Sequence, residues 1–246
     1  QCLPTTHTVR LCKGCDRSPV LHAGRTHRIR PHYLLVKAKD GDAQEDEQPP
    51  EISSSRNRLQ ATIKRKMTQL QSLEKEMGME TLEDRLQTSI QLPLNPPYRL
   101  TTLIAEAASQ GKCVLIFEVG RPTPSTTSSQ LAALAKQYIA LGVDALAVMT
   151  DVEDTSAGMG DLFAVCQAVK APVVAKDWIV SLLQIVDMKQ AGASGVLGIV
   201  NQITGKGTAM MSSFAAASGL DAPIEVVNNM ELDALAAAGG NVYAIN

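Results

Sequence analysis

Downstream of Gly111, six short apolar runs (113–119, 143–149, 172–176, 195–200, 222–227 and 241–245) alternate with Ala/Leu/Gln-rich stretches such as 130–141 and 178–190. A short run that is apolar at successive positions reads as a strand buried on both faces. Such strands belong to parallel sheets covered by helices. Gly142, Gly192, Gly219 and Gly239 fall just after the helical stretches, where a chain leaves a helix through a left-handed residue. The alternation predicts an α/β chain, built either as a (β/α) barrel or as a doubly wound sheet.

Three of these strands stop on charge. Val114-Leu115-Ile116-Phe117 ends at Glu118, the run 171–175 ends at Lys176-Asp177-Trp178, and Ala222-Pro223-Ile224 ends at Glu225. Carboxyl ends of strands open into ligand clefts in α/β folds, so the three charges predict one polar site on one face. The alternative is a set of structural ion pairs capping a sheet. Asn246, ending the last strand, is placed to join the site as a neutral hydrogen-bonding group. All four histidines (His7, His22, His27 and His32) precede the alternating region. Acid–base chemistry there rests on Lys, Glu and Asp, and a Ser-His-Asp system is excluded. A Gly-x-Gly-x-x-Gly signature is absent after the first strand, which argues against a dinucleotide cofactor. Thr204-Gly205-Lys206-Gly207-Thr208 lacks the spacing of a P-loop and reads as a strand-to-helix turn.

The chain has 246 residues and a formal net charge of −2, unevenly placed. Residues 1–39 hold eight Lys/Arg against Asp16 alone, a local charge of +7, so the remainder carries −9. A basic, Ser/Thr-bearing, acid-poor start resembles an organelle transit peptide, with a plastid-type processing site at Val36-Lys37-Ala38. The competing reading is a basic arm for nucleic acid or membrane. Cys12-Lys13-Gly14-Cys15 lacks the second ligand pair of a zinc site, so no metal is expected. Cys113 and Cys166 lie in apolar runs and are expected to be buried thiols. No uninterrupted apolar run is long enough to span a membrane.

Residues 40–53 read as an acidic linker and 54–110 as a helical extension ahead of the strands. Leu59, Ile63, Met67, Leu70, Leu73 and Met77 recur at steps of three and four, with Gly78 as a stop. Arg56, Arg58, Lys64, Arg65 and Lys66 on this helix are expected to form a solvated face. A nucleic-acid stripe is the competing reading, and it lacks interleaved aromatics. A second short helix holds Leu82 and Leu86, and a third lies around 103–109.

Several ordered motifs resemble one family. Phe117-Glu118-Val119-Gly120-Arg121-Pro122-Thr123-Pro124-Ser125 is similar to the first-strand motif A-E-I-K-R-x-S-P-S of indole-3-glycerol phosphate synthases. Val148-Met149-Thr150-Asp151 resembles their second strand, and 172–179 resembles their P-V-L-x-K-D-F-I, with Gln184-Ile185 where that family has Q-I. Ile224-Glu225-Val226 and Ala244-Ile245-Asn246 resemble the fifth and sixth strands. The match runs from about Leu59 to the end.

The resemblance implies a (β/α)8 TIM-type barrel, incomplete here with about six βα units, preceded by a helical extension over its mouth. It implies a carboxy-lyase of tryptophan biosynthesis. The reaction closes 1-(o-carboxyphenylamino)-1-deoxyribulose 5-phosphate to the indole with loss of carbon dioxide and water, and uses no cofactor. By the same resemblance Lys176 is the general acid and Glu225 the general base. Glu118 orients a lysine, Asn246 positions the intermediate, and Thr123, Ser125 and Trp178 contact substrate. Gly120 stands where the family has a substrate-contacting Lys, and the family's E-S-G strand lies beyond the sixth. Six strands cannot close an eight-stranded barrel. The start at Gln1 instead of Met points to a piece of a longer protein. A non-catalytic barrel that binds a phosphorylated metabolite or a stromal protein is the alternative. The implied partner is a small phosphorylated substrate, with neither nucleic acid nor membrane, and the implied compartment is the chloroplast stroma. The sequence leaves the oligomeric state open.

Overall fold

The structure is a computed structural model describing residues 9–10, 33–37, 52–151, 158–200, 206–237 and 242–245. Helices α1 (Ile52–Met77), α2 (Met79–Gln91) and α3 (Arg99–Ser109) form the extension. Gly78, at φ 80°, turns the chain between the first two, a conformation open to a residue without Cβ. The alternating region follows as β3 (Ile116–Val119), α4 (Ser128–Ala140), β4 (Ala145–Met149), α5 (Gly158–Ala168), β5 (Val173–Ile179), α6 (Leu182–Gln190), β6 (Gly195–Ile199), α7 (Lys206–Ala217), β7 (Ile224–Val226), α8 (Asn229–Ala237) and β8 (Val242–Ile245). Each of the six expected strands is present. Trp178 corrects one boundary: it lies in β5, and the helix expected from 178 begins at Leu182.

Neighbouring strands follow chain order, β3-β4-β5-β6 in one sheet and β7-β8 in the other, all parallel. A parallel bridge between Gly195 and Asp221 joins the two sheets. A doubly wound sheet reverses its order at a switch point. No reversal occurs here, so the winding is that of a (β/α) barrel, and it is left open among the described residues. Two strands come from the stretch read as a leader. These are β1 (Val9–Arg10) and β2 (Tyr33–Lys37). The second runs parallel to β8, and the first antiparallel to the second. This pairing satisfies backbone groups on the outer edge of β8, and the leader reading does not include it. Cys2, Cys12, Cys15 and the histidines lie outside the described residues.

Alternate residues of the strands enter two separate cores. Leu146 and Val148 face the helices with Val119, Val173, Ala175, Leu131, Leu162 and Ile185. Ala145 and Ala147 face the interior with Ile116 and Val174, and there Leu100 and Ile104 of α3 pack on them. Because Ile116 and Ala145 begin β3 and β4 and Val114 just precedes β3, α3 closes the amino-terminal end of the interior. The carboxyl ends lie at the opposite end of the interior from α3.

Asp221 holds that plug in place. It is buried and accepts hydrogen bonds from Leu100 N at 2.8 Å, Thr101 N at 3.1 Å and the Thr101 hydroxyl. The flanking Tyr98 supplies no side-chain cap of its own, so a carboxylate 121 positions away acts as the cap. Asp221→Ala is expected to lose about 2–3 kcal/mol in urea unfolding, because two helix N–H groups lose their acceptor. Burial pushes the Asp221 carboxyl up from the usual range, against the lowering pull of Thr101 and the two N–H groups. A raised folded pKa means that this contribution is full below the unfolded value and falls as pH rises through the folded one. The stability of the wild type relative to Asp221→Asn is therefore expected to be larger near pH 3.5 than at pH 7, since Asn does not titrate.

Cys113 is exposed, contrary to expectation, because it lies in the connection before β3. Cys166 is half-buried, and burial pushes its thiol up to about 12, which leaves it protonated and unreactive at neutral pH.

Candidate active site

Ile116 faces the interior and Val119 the helices, so Glu118 faces the interior by the two-residue period of a strand. Val174 likewise places Lys176 inward. In register, Glu118 lies beside Ala147, and Ala147 beside Val174. Lys176 lies one pleat higher, beside Met149. The small Ala147 leaves room for the lysine to reach back across β4. Its Nζ meets Glu118 Oε2 at 2.7 Å, with both side chains about one-third exposed at the carboxyl ends of their strands. The ion pair therefore joins two of the three predicted charged strand ends.

Glu225 completes the set by its position. Ile224 and Val226 pack outward with Leu235 and Tyr243. Glu225 is thus on the interior side, in register with Ala244, which packs on the interior core. It is exposed. Glu118, Lys176 and Glu225 share one face of β3, β5 and β7. Asn246 lies outside the described residues.

Gly120 and Arg121 part company. Arg121 makes a two-pronged pair with Asp161 of α5, Nε to Oδ2 at 2.8 Å and Nη2 to Oδ1 at 2.9 Å. Asp161 is fully buried, so this guanidinium is committed to the helix layer. At Gly120 nothing stands within 4 Å of where a Cβ would be.

Thr123 and Ser125 sit in the loop after β3, their hydroxyls 3.0 Å apart, and Thr123 also meets the Thr126 hydroxyl at 3.0 Å. They line a cleft of about 400 Å³ against α4, together with Gln130 and Gln137, and neither Glu118 nor Lys176 is in its lining. Thr127 then starts α4 with a capping box to Gln130. Trp178 is 41% exposed and lies in a bulge. From the Lys176–Leu197 pair to the Ile179–Ile199 pair, β5 advances by one residue more than β6. Gly198, at φ 91°, faces the Asp177 carbonyl so closely that a side chain there would collide with it.

One cluster went unread in the sequence. Lys66 of α1 was expected on a solvated face, yet it is 7% exposed. Its Nζ meets Asp177 Oδ1 at 2.5 Å and Asp151 Oδ1 at 3.0 Å, and Arg65 Nη2 lies 3.6 Å from Asp151. The helix phase explains the correction. Steps of three and four through 63, 66, 70, 74 and 77 put Lys66, not Met67, on the inward stripe, and Met67 and Leu73 are 45% and 43% exposed. Burial pushes the Asp177 carboxyl up, opposed by Lys66 and Thr150, while Asp151 adds to the rise.

The model of the indole-3-glycerol phosphate synthase family matches residues 59–246. The chain belongs to that family. It is 35% identical over 136 residues to the indole-3-glycerol phosphate synthase of Nocardioides sp., covering 54% of this chain and 52% of that protein. Against the synthase of Streptococcus thermophilus it is 31% identical over 183 residues, covering 73% and 69%. Against that of Chlorobium chlorochromatii it is 28% identical over 192 residues, covering 76% and 72%. The chain spans about half the length of the curated relatives that match it over 136 residues. In this synthase-family chain the matched span contains the whole extension from Leu59, the six barrel strands and all three charged strand ends.

Proposed function

We propose that the full-length parent of this chain is a carbon–carbon lyase that closes 1-(o-carboxyphenylamino)-1-deoxyribulose 5-phosphate to indole-3-glycerol phosphate. The Lys176–Glu118 pair at the carboxyl ends of the barrel strands carries this reading. A new bond joins the carboxylate-bearing ring carbon to the ketone carbon, carbon dioxide leaves, and water follows. Lys176 gives its proton to the ketone oxygen as that bond forms. Glu118 holds the ammonium in the direction of the mouth. Loss of carbon dioxide restores the benzene ring, and Glu225, on the same face, takes the carbon-bound proton lost as water departs and the indole double bond forms. Asn246 helps position the intermediate. Thr123 and Ser125 offer hydroxyls to the phosphate side, and Trp178 an apolar wall. The parent acts in the chloroplast stroma, behind a leader whose removal would also take β2 off the edge of β8. Formation of the indole product, followed by its fluorescence rise with the full-length protein, tests the reading. A flat trace at substrate saturation would remove it.

Gly120 favours a second reading, a barrel that binds a phosphorylated metabolite or a stromal protein without turnover. The lysine it replaces meets the substrate carboxylate in the resembled family, and Arg121 is held away by Asp161. One pre-placed charge at such a site is worth on the order of 10²–10³ in rate. Gly120→Lys has open space to enter. In the parent it is expected to raise turnover by up to about 10²–10³-fold. An unchanged rate would point to a different ligand.

A further inference from the structure

The buried cluster between α1 and the strand ends lies one residue from Lys176, and it fixes the backbone on both sides of that residue's neighbour. Asp177 takes Lys66 Nζ at 2.5 Å and the Thr150 hydroxyl at 3.0 Å. It also takes the N–H of the next peptide, at Trp178, at 2.7 Å. The peptide before it is held as well, because Thr150 N donates to the Lys176 carbonyl at 2.9 Å. The Asp177 carbonyl rests against Gly198, in the bulge that separates Lys176 from Ile179. A bulge re-aims the side chains around it, and this one is clamped by a cation from a different helix.

We infer that Lys66 and Asp177 are positioning residues for Lys176: α1, through the Asp177 carboxylate, fixes the β5 bulge and so the direction in which the lysine crosses β4 to Glu118. The functional half of this inference rests on Lys176 being the general acid. The geometric half does not. If the clamp is released, the backbone at 176–178 relaxes and the 2.7 Å pair with Glu118 is lost. Displacing a reacting group by about 1 Å costs on the order of 10² in rate.

The test measures how fast an amine-acylating reagent labels Lys176 in this chain, by peptide mass spectrometry, with the exposed Lys112 as internal reference. Asp177→Ala is expected to raise Lys176 labelling by up to about fivefold, the worth of a partly exposed ion pair. Asp177→Asn keeps an oxygen for the Trp178 N–H and a partner for Thr150, and is expected to bring labelling back towards the wild-type rate. Thr150→Val removes the hydroxyl's hydrogen bond to Asp177 at 3.0 Å and its longer one to the Lys176 carbonyl at 3.4 Å, and keeps the Thr150 N–H. It is expected to move labelling in the same direction as Asp177→Ala, and it decides the matter should the alanine variant fail to fold. Wild-type labelling in a folded Asp177→Ala or Thr150→Val chain would overturn the inference. In the parent, Asp177→Ala is expected to lower kcat by about 10²-fold with KM little changed. A rise in KM at constant kcat would overturn the positioning role. A wild-type parent without turnover removes the acid–base reading alone, and labelling still decides the clamp.

Discussion

Lys66→Met is expected to cost about 3–5 kcal/mol of stability, read as a lowered urea midpoint at unchanged slope. Two carboxylates give the effect its size. Asp151 and Asp177 keep only 4% and 7% of their side-chain surface exposed, and both lie within 3.0 Å of the one ammonium. Removing that ammonium leaves two buried like charges with each other as neighbours, and Arg65, at 3.6 Å from Asp151 alone, does not replace it. Lys64 lies two positions before it on the same helix and is exposed. Lys64→Met is the control, expected within about 0.5 kcal/mol of the wild type. A loss below about 1 kcal/mol for Lys66→Met, the scale of a surface pair, would contradict the burial described here. The same pairs weigh against a nucleic-acid stripe on α1, because Lys66 and Arg65 face strand-end carboxylates.

Lys176→Ala is expected to lower turnover of the parent by on the order of 10²–10⁴-fold, the usual contribution of a positioned general acid. The pair with Glu118 makes a second variant informative. Glu118→Gln keeps a hydrogen-bond acceptor for the Lys176 Nζ but removes the charge that holds it. It is expected to lose less activity than Lys176→Ala. Adding the two changes together is expected to cost little more than Lys176→Ala alone, since both act through one proton. Steady-state rates from the fluorescence of the indole product measure all three. Full additivity of the losses would mean that Glu118 acts on substrate independently of the lysine.

The barrel was legible because its strands are short, apolar at successive positions and each closed by a charge or a turn residue. That pattern located all six strands. Charge at three strand ends, which open into ligand clefts, then predicts that Glu118, Lys176 and Glu225 share one face. Sequence order could not choose between barrel and doubly wound sheet, since both read as strand–helix repeats. The unreversed strand order makes that choice. Register cannot be read from composition either, so the small Ala147 that lets Lys176 reach Glu118 was invisible.

The misreadings have separate causes. Lys66 and Met67 differ by one position, and a helix stripe read from apolar residues alone selects the methionine. A lysine at a heptad position facing Asp151 and Asp177, two acids at adjacent strand ends, was the available signal. Trp178 reads as helical because Lys176-Asp177 end the apolar run, whereas β5 continues through its bulge to Ile179. The Asp221 cap on α3 spans 121 positions, and no local pattern announces a contact of that range.

The most direct measurement is a crystal structure of the full-length protein with a substrate analogue whose ketone is reduced to an alcohol. The account expects Lys176 Nζ within about 2.6–3.2 Å of the alcohol oxygen and Glu225 on the opposite side of the new ring, with Glu118 still against the lysine. An analogue bound with its alcohol beyond hydrogen-bond reach of Lys176, even with its phosphate on Thr123 and Ser125, would contradict it.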